Sequence, residues 1–338
     1  MQDRRRFLQT GFSVAAAGLA GVAALAGARR TLAEEAPPET TSLRLPQYSA
    51  TCFAPVYILH DLLREEGFAD VRYVRNPGTT SEIFARGEVD FTQDFSPVAI
   101  GPIDAGAPIV MLAGVHSGCF ELFARESIRS VGDLKGRKVG VPPPWAGEAQ
   151  QVIVSVIVAS VGLDPVKDID WVVHAPPDAA QRLDKGEIDA FLAVPPWAQE
   201  LHARDFGRTI LNSTLDRPWS EYLCCMLIGH ADFVRRHPIA TKRVVRAMVR
   251  ATDICAAKPD WVAQSLVDRG FTPRYDYARQ GLADVPYKSW REYDAEDSVR
   301  FWALRMREIG MIKSSPDKII AMGTNWRFIK EVRRELGI

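Results

Sequence analysis

The 338-residue chain sets 42 Lys and Arg against 42 Asp and Glu and is 47% hydrophobic and 25% charged. That is the balance of a packed globular protein, at a length that accommodates two ordinary domains. A formal charge of zero leaves no basic field to hold nucleic acid or an anionic membrane surface, so those partners are excluded.

Residues 1–33 read as a twin-arginine export segment. Arg4-Arg5-Arg6-Phe7-Leu8-Gln9 presents the arginine pair, Val14 to Ala28 is a weakly apolar stretch rich in Ala and Gly, and Thr31-Leu32-Ala33 offers a small-residue cleavage site ahead of Glu34-Glu35. The apolar run falls short of the roughly 20 residues a spanning helix needs. The mature chain is therefore expected to be soluble and periplasmic, with no direct membrane insertion. Five cysteines leave at least one outside any internal pair. They do not fall in metal-ligand spacing, and no two of the six histidines stand at helical ligand spacing, so no metal site is expected. Cys224 and Cys225 adjoin in the apolar run Tyr222–Ile228, where strand neighbours should face opposite sides. Cys255 continues the stripe Val244, Met248, Ala251 and reads as packing.

After a tether at Pro37-Pro38 and Thr40-Thr41-Ser42, a strand begins at Leu43–Leu45. A polar loop, Tyr48 to Phe53, leads into a helix opened by Ala54-Pro55 and stopped at Gly67. The stretch Val71–Ala99 then has a gap-free echo at Asp170–Ala198, offset by 99 positions: Gly87-Glu88-Val89-Asp90 matches Gly186-Glu187-Ile188-Asp189, and Pro97 matches Pro196. Thr79 with Glu82, and Asp178 with Gln181, form capping boxes at equivalent places. Each copy reads strand, capped loop, short helix, strand and Pro-headed helix start. Between the copies come an apolar strand at Ile109–Leu112 and a candidate third strand at Phe120–Phe123. Asp133-Leu134-Lys135-Gly136-Arg137-Lys138-Val139-Gly140-Val141 then leads through Pro142–Gly147 into an apolar helix from about Glu148 to Val161. Beyond Tyr222 one buried strand is followed mainly by helices, including Ile239–Ala257, Ala295–Ile309 and Trp326–Leu336.

Strands alternating with helices predict parallel α/β sheets. The repeat predicts two lobes with a cleft between them, about Ser42–Ser127 plus Glu221–Ile338, and Ile128–Ser220, the helical tail packing back on the first. In such sheets ligands sit outside the carboxyl ends of the strands, beside helix N-termini.

The residues 133–141, the paired Gly-Glu-Val/Ile-Asp units and Ala54-Pro55 at the first helix resemble the type II periplasmic solute-binding proteins of ABC importers. The branch is the one that serves nitrate, taurine, alkanesulfonates and related solutes and shares its fold with thiamine-pyrimidine synthases. The resemblance implies a two-lobed type II periplasmic binding protein fold with a helical C-terminal tail. It implies a substrate-binding component that captures a small organic or anionic solute, of sulfonate, carboxylate or heterocycle class, and delivers it to an ABC permease in the inner membrane, with no cofactor and no catalytic residue.

Candidate ligand-binding residues in the first lobe are Ser49, Thr51 and Phe53, Thr79 and Thr80, and Asp94, Phe95 and Ser96; in the second they are Trp145, Gly147, Asp178, Pro196 and Trp197. Hydroxyls and backbone N–H groups at helix starts suit an anionic or polar head, and the aromatics suit an organic body. Thr79 and Asp178 read equally as helix caps, and Phe95 and Trp197 as lobe-packing residues. An enzyme alternative stays open. Cys52 with Pro55, and Pro196-Trp197-Ala198 with Glu200-Leu201, are similar to segments of aromatic sulfinate desulfinases on the same fold, in which Cys52 would be the nucleophile. The His and Arg those enzymes use near the second strand region have no counterpart between Gly87 and Gly106.

Overall fold

The computed structural model describes residues 35–48, 50–75, 78–141, 144–174 and 179–338, with only the backbone described at 144–148. The expected export segment lies outside the described residues, and Pro38–Ile338 forms one compact unit.

The chain opens with β1 (Ser42–Gln47), a 3-10 turn (Thr51–Phe53), α1 (Ala54–Glu65), β2 (Asp70–Arg75), α2 (Thr80–Ala85), β3 (Phe91–Phe95), α3 (Ser96–Asp104) and β4 (Ile109–Ser117). It continues through β5 (Glu121–Ala124), β6 (Arg137–Val141), α4 (Pro144–Ser160), β7 (Ile169–Val173), α5 (Ala179–Asp184), β8 (Ala190–Ala193), α6 (Trp197–Ala203) and β9 (Arg208–Asn212). Last come β10 (Leu223–His230), α7 (Ala231–Arg236), α8 (Pro238–Ala257), α9 (Pro259–Asp268), α10 (Tyr275–Asp284), α11 (Ala295–Glu308), α12 (Pro316–Gly323) and α13 (Arg327–Leu336). The two repeat copies thus become β2-α2-β3-α3 and β7-α5-β8-α6.

The echoed aspartates explain why the repeat exists. In the first lobe β1 and β2 pair in parallel, and β10 runs antiparallel between β3 and β4. Asp90 joins the pieces. Its N–H donates to the Arg44 carbonyl at 2.9 Å, its carboxylate accepts the Arg44 N–H at 2.8 Å, and it pairs with the Arg44 guanidinium at 2.6 Å. The resulting order is β2-β1-β3-β10-β4. The second lobe repeats it as β7-β6-β8-β5-β9. There Asp189 binds the Lys138 carbonyl at 2.7 Å and the Lys138 N–H at 3.0 Å. Each Asp closes the gap where the outer and inner strands diverge, so buried backbone groups keep their partners.

Phe120–Phe123, expected as a third strand of the first lobe, instead forms β5 and pairs antiparallel with β8 and β9. The first crossing between lobes therefore falls at Gly118–Phe120. Helix α4 starts earlier than its expected Glu148, at Pro144.

The tail packs on the first lobe through α8, whose buried stripe includes Ala240, Val244, Ala247, Met248, Ala251 and Cys255 at helical spacing. Arg246 pairs with Glu66 at 2.6 Å and Glu335 at 2.7 Å, tying α8 to α1 and α13. Gly67, which ends α1, has φ +96°, and a side chain there would press on Arg243. The tail also reaches the second lobe. Helix α10 contacts both the Thr51–Phe53 turn and α6, with Gln199 donating to Asp284 at 3.0 Å. Among the described residues no helix is long and apolar enough to cross a membrane.

Replacing Asp90 by Ala removes charged bonds to a neighbouring strand and is expected to cost about 1.5–3 kcal/mol of unfolding free energy. Urea denaturation showing a loss below about 0.5 kcal/mol would contradict the strand-joining role.

Candidate functional site

Three loops stand at the carboxyl ends of strands: Tyr48–Phe53 after β1, Phe95-Ser96 after β3, and Val194–Trp197 after β8. Helices α1 and α3 begin with Pro in the first turn and have no side-chain cap at Phe53 or Phe95. Their starts thus lack the side-chain acceptor that most helices provide for orphan N–H groups.

The first- and second-lobe loops meet directly. The Thr51 N–H donates to the Pro195 carbonyl at 2.9 Å, just before the cis peptide at Pro195-Pro196. A small pocket at this meeting point is lined by Thr51, Tyr57, Pro196, Leu266, Phe271 and Thr272. Thr51 and Thr272 are buried, and neither hydroxyl has a hydrogen-bond partner among the described residues. Buried polar atoms left without partners are uncommon and point to a bound polar group or an ordered water. Phe53 lines the same loop edge-on to Tyr48, ring centroids 5.2 Å apart. Burial, and then the neighbouring Asp94 carboxylate, push the Tyr48 phenol well up. Asp94 itself is buried, accepting from the Thr80 hydroxyl and from the Phe95 N–H at 2.8 Å.

Other candidate side chains serve the fold. Thr79 caps α2 in a reciprocal box with Glu82: the Glu82 N–H donates to its hydroxyl at 3.2 Å, and its own N–H donates to the Glu82 carboxylate at 3.0 Å. The backbone bond from Thr79 holds the Glu82 carboxyl below the usual range. The buried Ser96 hydroxyl bonds the Leu223 and Cys224 carbonyls, each at 3.1 Å, where β10 begins. Trp197 opens α6 and is half-buried against the core. Ser49 and Asp178 lie outside the described residues, and Trp145 and Gly147 lie on the first turn of α4, where side chains are not described.

Cys52 is fully buried. Burial, and then hydrogen bonding to neighbouring thiols, push the Cys119 thiol up. The expectation that the cysteines and histidines form no ligand set is corrected: His116, Cys119, Cys224 and Cys225 converge, with all ligand atoms within 4.8 Å of one another. The register of β10 against β4 skips at Cys224, a β-bulge that brings the Cys224 and Cys225 sulfurs to 3.7 Å instead of opposite faces. Thr272 was also missed in the sequence. It lies in the connection between α9 and α10, with no counterpart in the repeat to draw attention to it.

The geometry is that of a two-lobed α/β fold of the type II periplasmic-binding-protein class, with the loops after β1 and β8 meeting between the lobes. The chain belongs to the NMT1-like family, whose profile matches residues 36–266. Among its relatives, the nitrate/nitrite binding protein NrtA of Synechococcus elongatus is 24% identical over 184 residues, covering 52% of this chain and 41% of that protein. The chain thus spans about two fifths of that relative's length. Among solved structures, the periplasmic nitrate-binding protein NrtA from Synechocystis PCC 6803 superposes with a TM-score of 0.73 at 15% identity, over 89% of this chain and 90% of that one. The alkanesulfonate-binding protein SsuA from Xanthomonas axonopodis pv. citri, bound to MOPS, gives 0.68 at 14% identity, over 85% and 99%. At these identities the likeness establishes the shared fold.

Thr79→Ala is expected to lower stability by about 1 kcal/mol, the usual value of an N-cap. A thermal or urea transition indistinguishable from wild type would show that the box contributes nothing to α2.

Proposed function

We propose that this protein is the periplasmic substrate-binding component of an ABC importer. It closes two hinged lobes on a small organic or anionic solute and delivers it to an inner-membrane permease. The observation that carries the reading is the meeting of lobes at Thr51 and Pro195, beside two buried hydroxyls without partners. A ligand that contacts both loops favours the closed arrangement by its differential affinity for it. The family and the names of its relatives support the same role. In this reading the chain passes from the first lobe to the second near Gly118–Phe120, ahead of the expected Ser127, and returns between β9 and β10. The walls in this reading come from the first-lobe candidates Ser49, Thr51, Phe53, Thr80, Asp94 and Phe95 and the second-lobe candidates Trp145, Gly147, Asp178, Pro196 and Trp197, while Thr79 and Ser96 support them. Export follows the twin-arginine route.

A buried carboxylate at Asp94 disfavours a small multiply charged anion and favours a solute with an organic body. In a thermal-shift screen over sulfonates, nitrate, bicarbonate, aromatic acids and pyrimidines, a true ligand at about 100 times its Kd adds roughly 2.7 kcal/mol to the folded state. No shift across these classes would count against the receptor reading.

Cys52 discriminates receptor from desulfinase. With its side chain fully buried, Cys52→Ser is expected to leave solute affinity within about tenfold, or 1.4 kcal/mol. Sustained sulfite release from an aromatic sulfinate, abolished in Cys52→Ser, would replace the receptor reading with the enzyme one.

Export is tested by replacing Arg4, Arg5 and Arg6 together with Lys, which should prevent periplasmic accumulation. Unchanged accumulation would rule out the twin-arginine route.

A further inference from the structure

The chain passes between the lobes twice, and the two passages lie side by side. It leaves β4 at Ser117 and runs through Gly118, Cys119 and Phe120 into β5; it returns through Tyr222 into β10, where Leu223 pairs with Ser117. At this hinge His116 and Cys119 from the outgoing passage face Cys224 and Cys225 from the returning one. All four residues are buried. The Cys224 sulfur stands 3.6 Å from that of Cys119, 3.7 Å from that of Cys225 and 3.7 Å from Nδ1 of His116. A tetrahedral zinc ion with Zn–S near 2.3 Å and Zn–N near 2.0 Å requires ligand-to-ligand edges of about 3.5–3.8 Å. The three separations from Cys224 are close to those edges, and all four ligand atoms lie within 4.8 Å of one another.

Ordinary strand geometry would not produce this cluster. Cys224 and Cys225 would face opposite sides of a regular strand, and the bulge at Cys224 is what turns both inward. Cys119 has φ +98°, a conformation that side-chain-bearing residues rarely adopt. Gly118 before it also has positive φ, and a side chain there would collide with Thr214. Two backbone irregularities on separate passages thus converge on one point. Nδ1 of His116 also lies 3.2 Å from the Ser117 carbonyl, while on the other side of the ring Nε2 lies 3.3 Å from the Gln93 amide nitrogen and Tyr287 packs edge-on. Binding an ion through Nδ1 would replace the Ser117 contact and put the imidazole proton on Nε2, which requires the Gln93 amide to turn and present its oxygen, an atom without a partner among the described residues.

We propose that His116, Cys119, Cys224 and Cys225 form a Cys3His site for a thiophilic ion that favours tetrahedral geometry, of the zinc class, clamping the two hinge passages together. On binding a divalent ion, three thiols each lose a proton to solvent as three metal–sulfur bonds form, and neutral His116 supplies the fourth bond from Nδ1. Three thiolates against two positive charges leave the site with one negative charge. Because the ligands are buried, the ion enters as the chain folds, and the site belongs to the folding reaction and the hinge instead of the solute cleft.

The test uses the full mature chain without a histidine tag, unfolded under reducing conditions and refolded with zinc or, separately, with cobalt. About one ion per chain should be retained after gel filtration, and the cobalt protein should show sulfur-to-metal charge transfer with the strong visible bands of a tetrahedral site. Cys255→Ser, a buried cysteine of α8 outside the cluster, should keep both signals. Cys224→Ser and His116→Gln should lose the ion or shift the cobalt spectrum. Where those variants do not fold, the wild type decides. Wild-type protein refolded with excess zinc that carries no ion, and whose five cysteines all titrate as thiols in denaturant, overturns the proposal. A Cys119–Cys224 disulfide in place of the ion, seen as a mass lower by two hydrogens, also overturns it, as does an unaltered cobalt spectrum in folded Cys224→Ser.

Discussion

Each sheet is completed by a strand that arrives from the far side of the lobe boundary. β10, made after the whole second lobe, inserts antiparallel between β3 and β4; β5, made directly after the first lobe's strands, inserts between β8 and β9. The second lobe is thereby an insertion between two neighbouring strands, and the two crossings must run together. That constraint places an opening in the sheet at Ser117 and Leu223, where ladder bonds end, and serine hydroxyls take over. The Ser117 N–H donates to Ser289 at 2.7 Å and the Leu223 N–H to Ser298 at 2.9 Å, while Ser96 bonds the Leu223 and Cys224 carbonyls. Phe120, on the outgoing passage, is held by Ser213 in the same way at 2.9 Å. Small hydroxyls suit such a place because they satisfy buried backbone groups without filling the space through which the strands diverge.

This accounts for what was legible in the sequence. The repeat could be read because its features are local: a capped helix start, a Gly-ended helix and an Asp that reaches the neighbouring strand. Copies of those features must look alike wherever they occur. The strand at Glu121–Ala124 was recognised as apolar but placed in the wrong sheet, since a buried strand carries no sign of which neighbours it will choose. The hinge cluster was invisible for the same reason in stronger form. His116 and Cys119 stand far from Cys224 and Cys225 in sequence, and only antiparallel pairing with a bulge brings them together. Adjacent cysteines read by strand alternation point apart, and the bulge reverses that reading.

The candidate site divides along similar lines. Thr79, Thr80, Asp94 and Ser96 were all chosen as polar residues beside helix starts, yet their side chains bond one another or the backbone. Polar residues near helix N-termini serve the fold as often as they serve a ligand, because the same orphan N–H groups attract both. Thr51 and Thr272 are distinguished by the opposite property. Their hydroxyls are buried and have no partner among the described residues, and only the folded structure can show that. The fold's own bonds therefore sort the candidates better than position along the chain does.

The energetics of closure follow from how little joins the lobes at the mouth of the cleft. Thr51 to Pro195 is one neutral backbone bond, and Gln199 to Asp284 adds a second contact through α10. The neutral bond contributes only about 0.5–1.5 kcal/mol and the bond to the Asp284 carboxylate about 1.5–3 kcal/mol. On the receptor reading proposed above, a solute that contacts both lobes adds to these bonds and shifts the balance toward the closed arrangement. The hinge behaves differently, since its strands are buried along almost their whole length and its backbone groups are satisfied by side chains from α3 and the tail. Stiffness is thus concentrated where the chain crosses and weakness where the loops meet. Such a distribution is what the proposed receptor role would need, because a rigid crossing would define the axis of movement while weaker contacts at the loops would let differential binding energy set the balance.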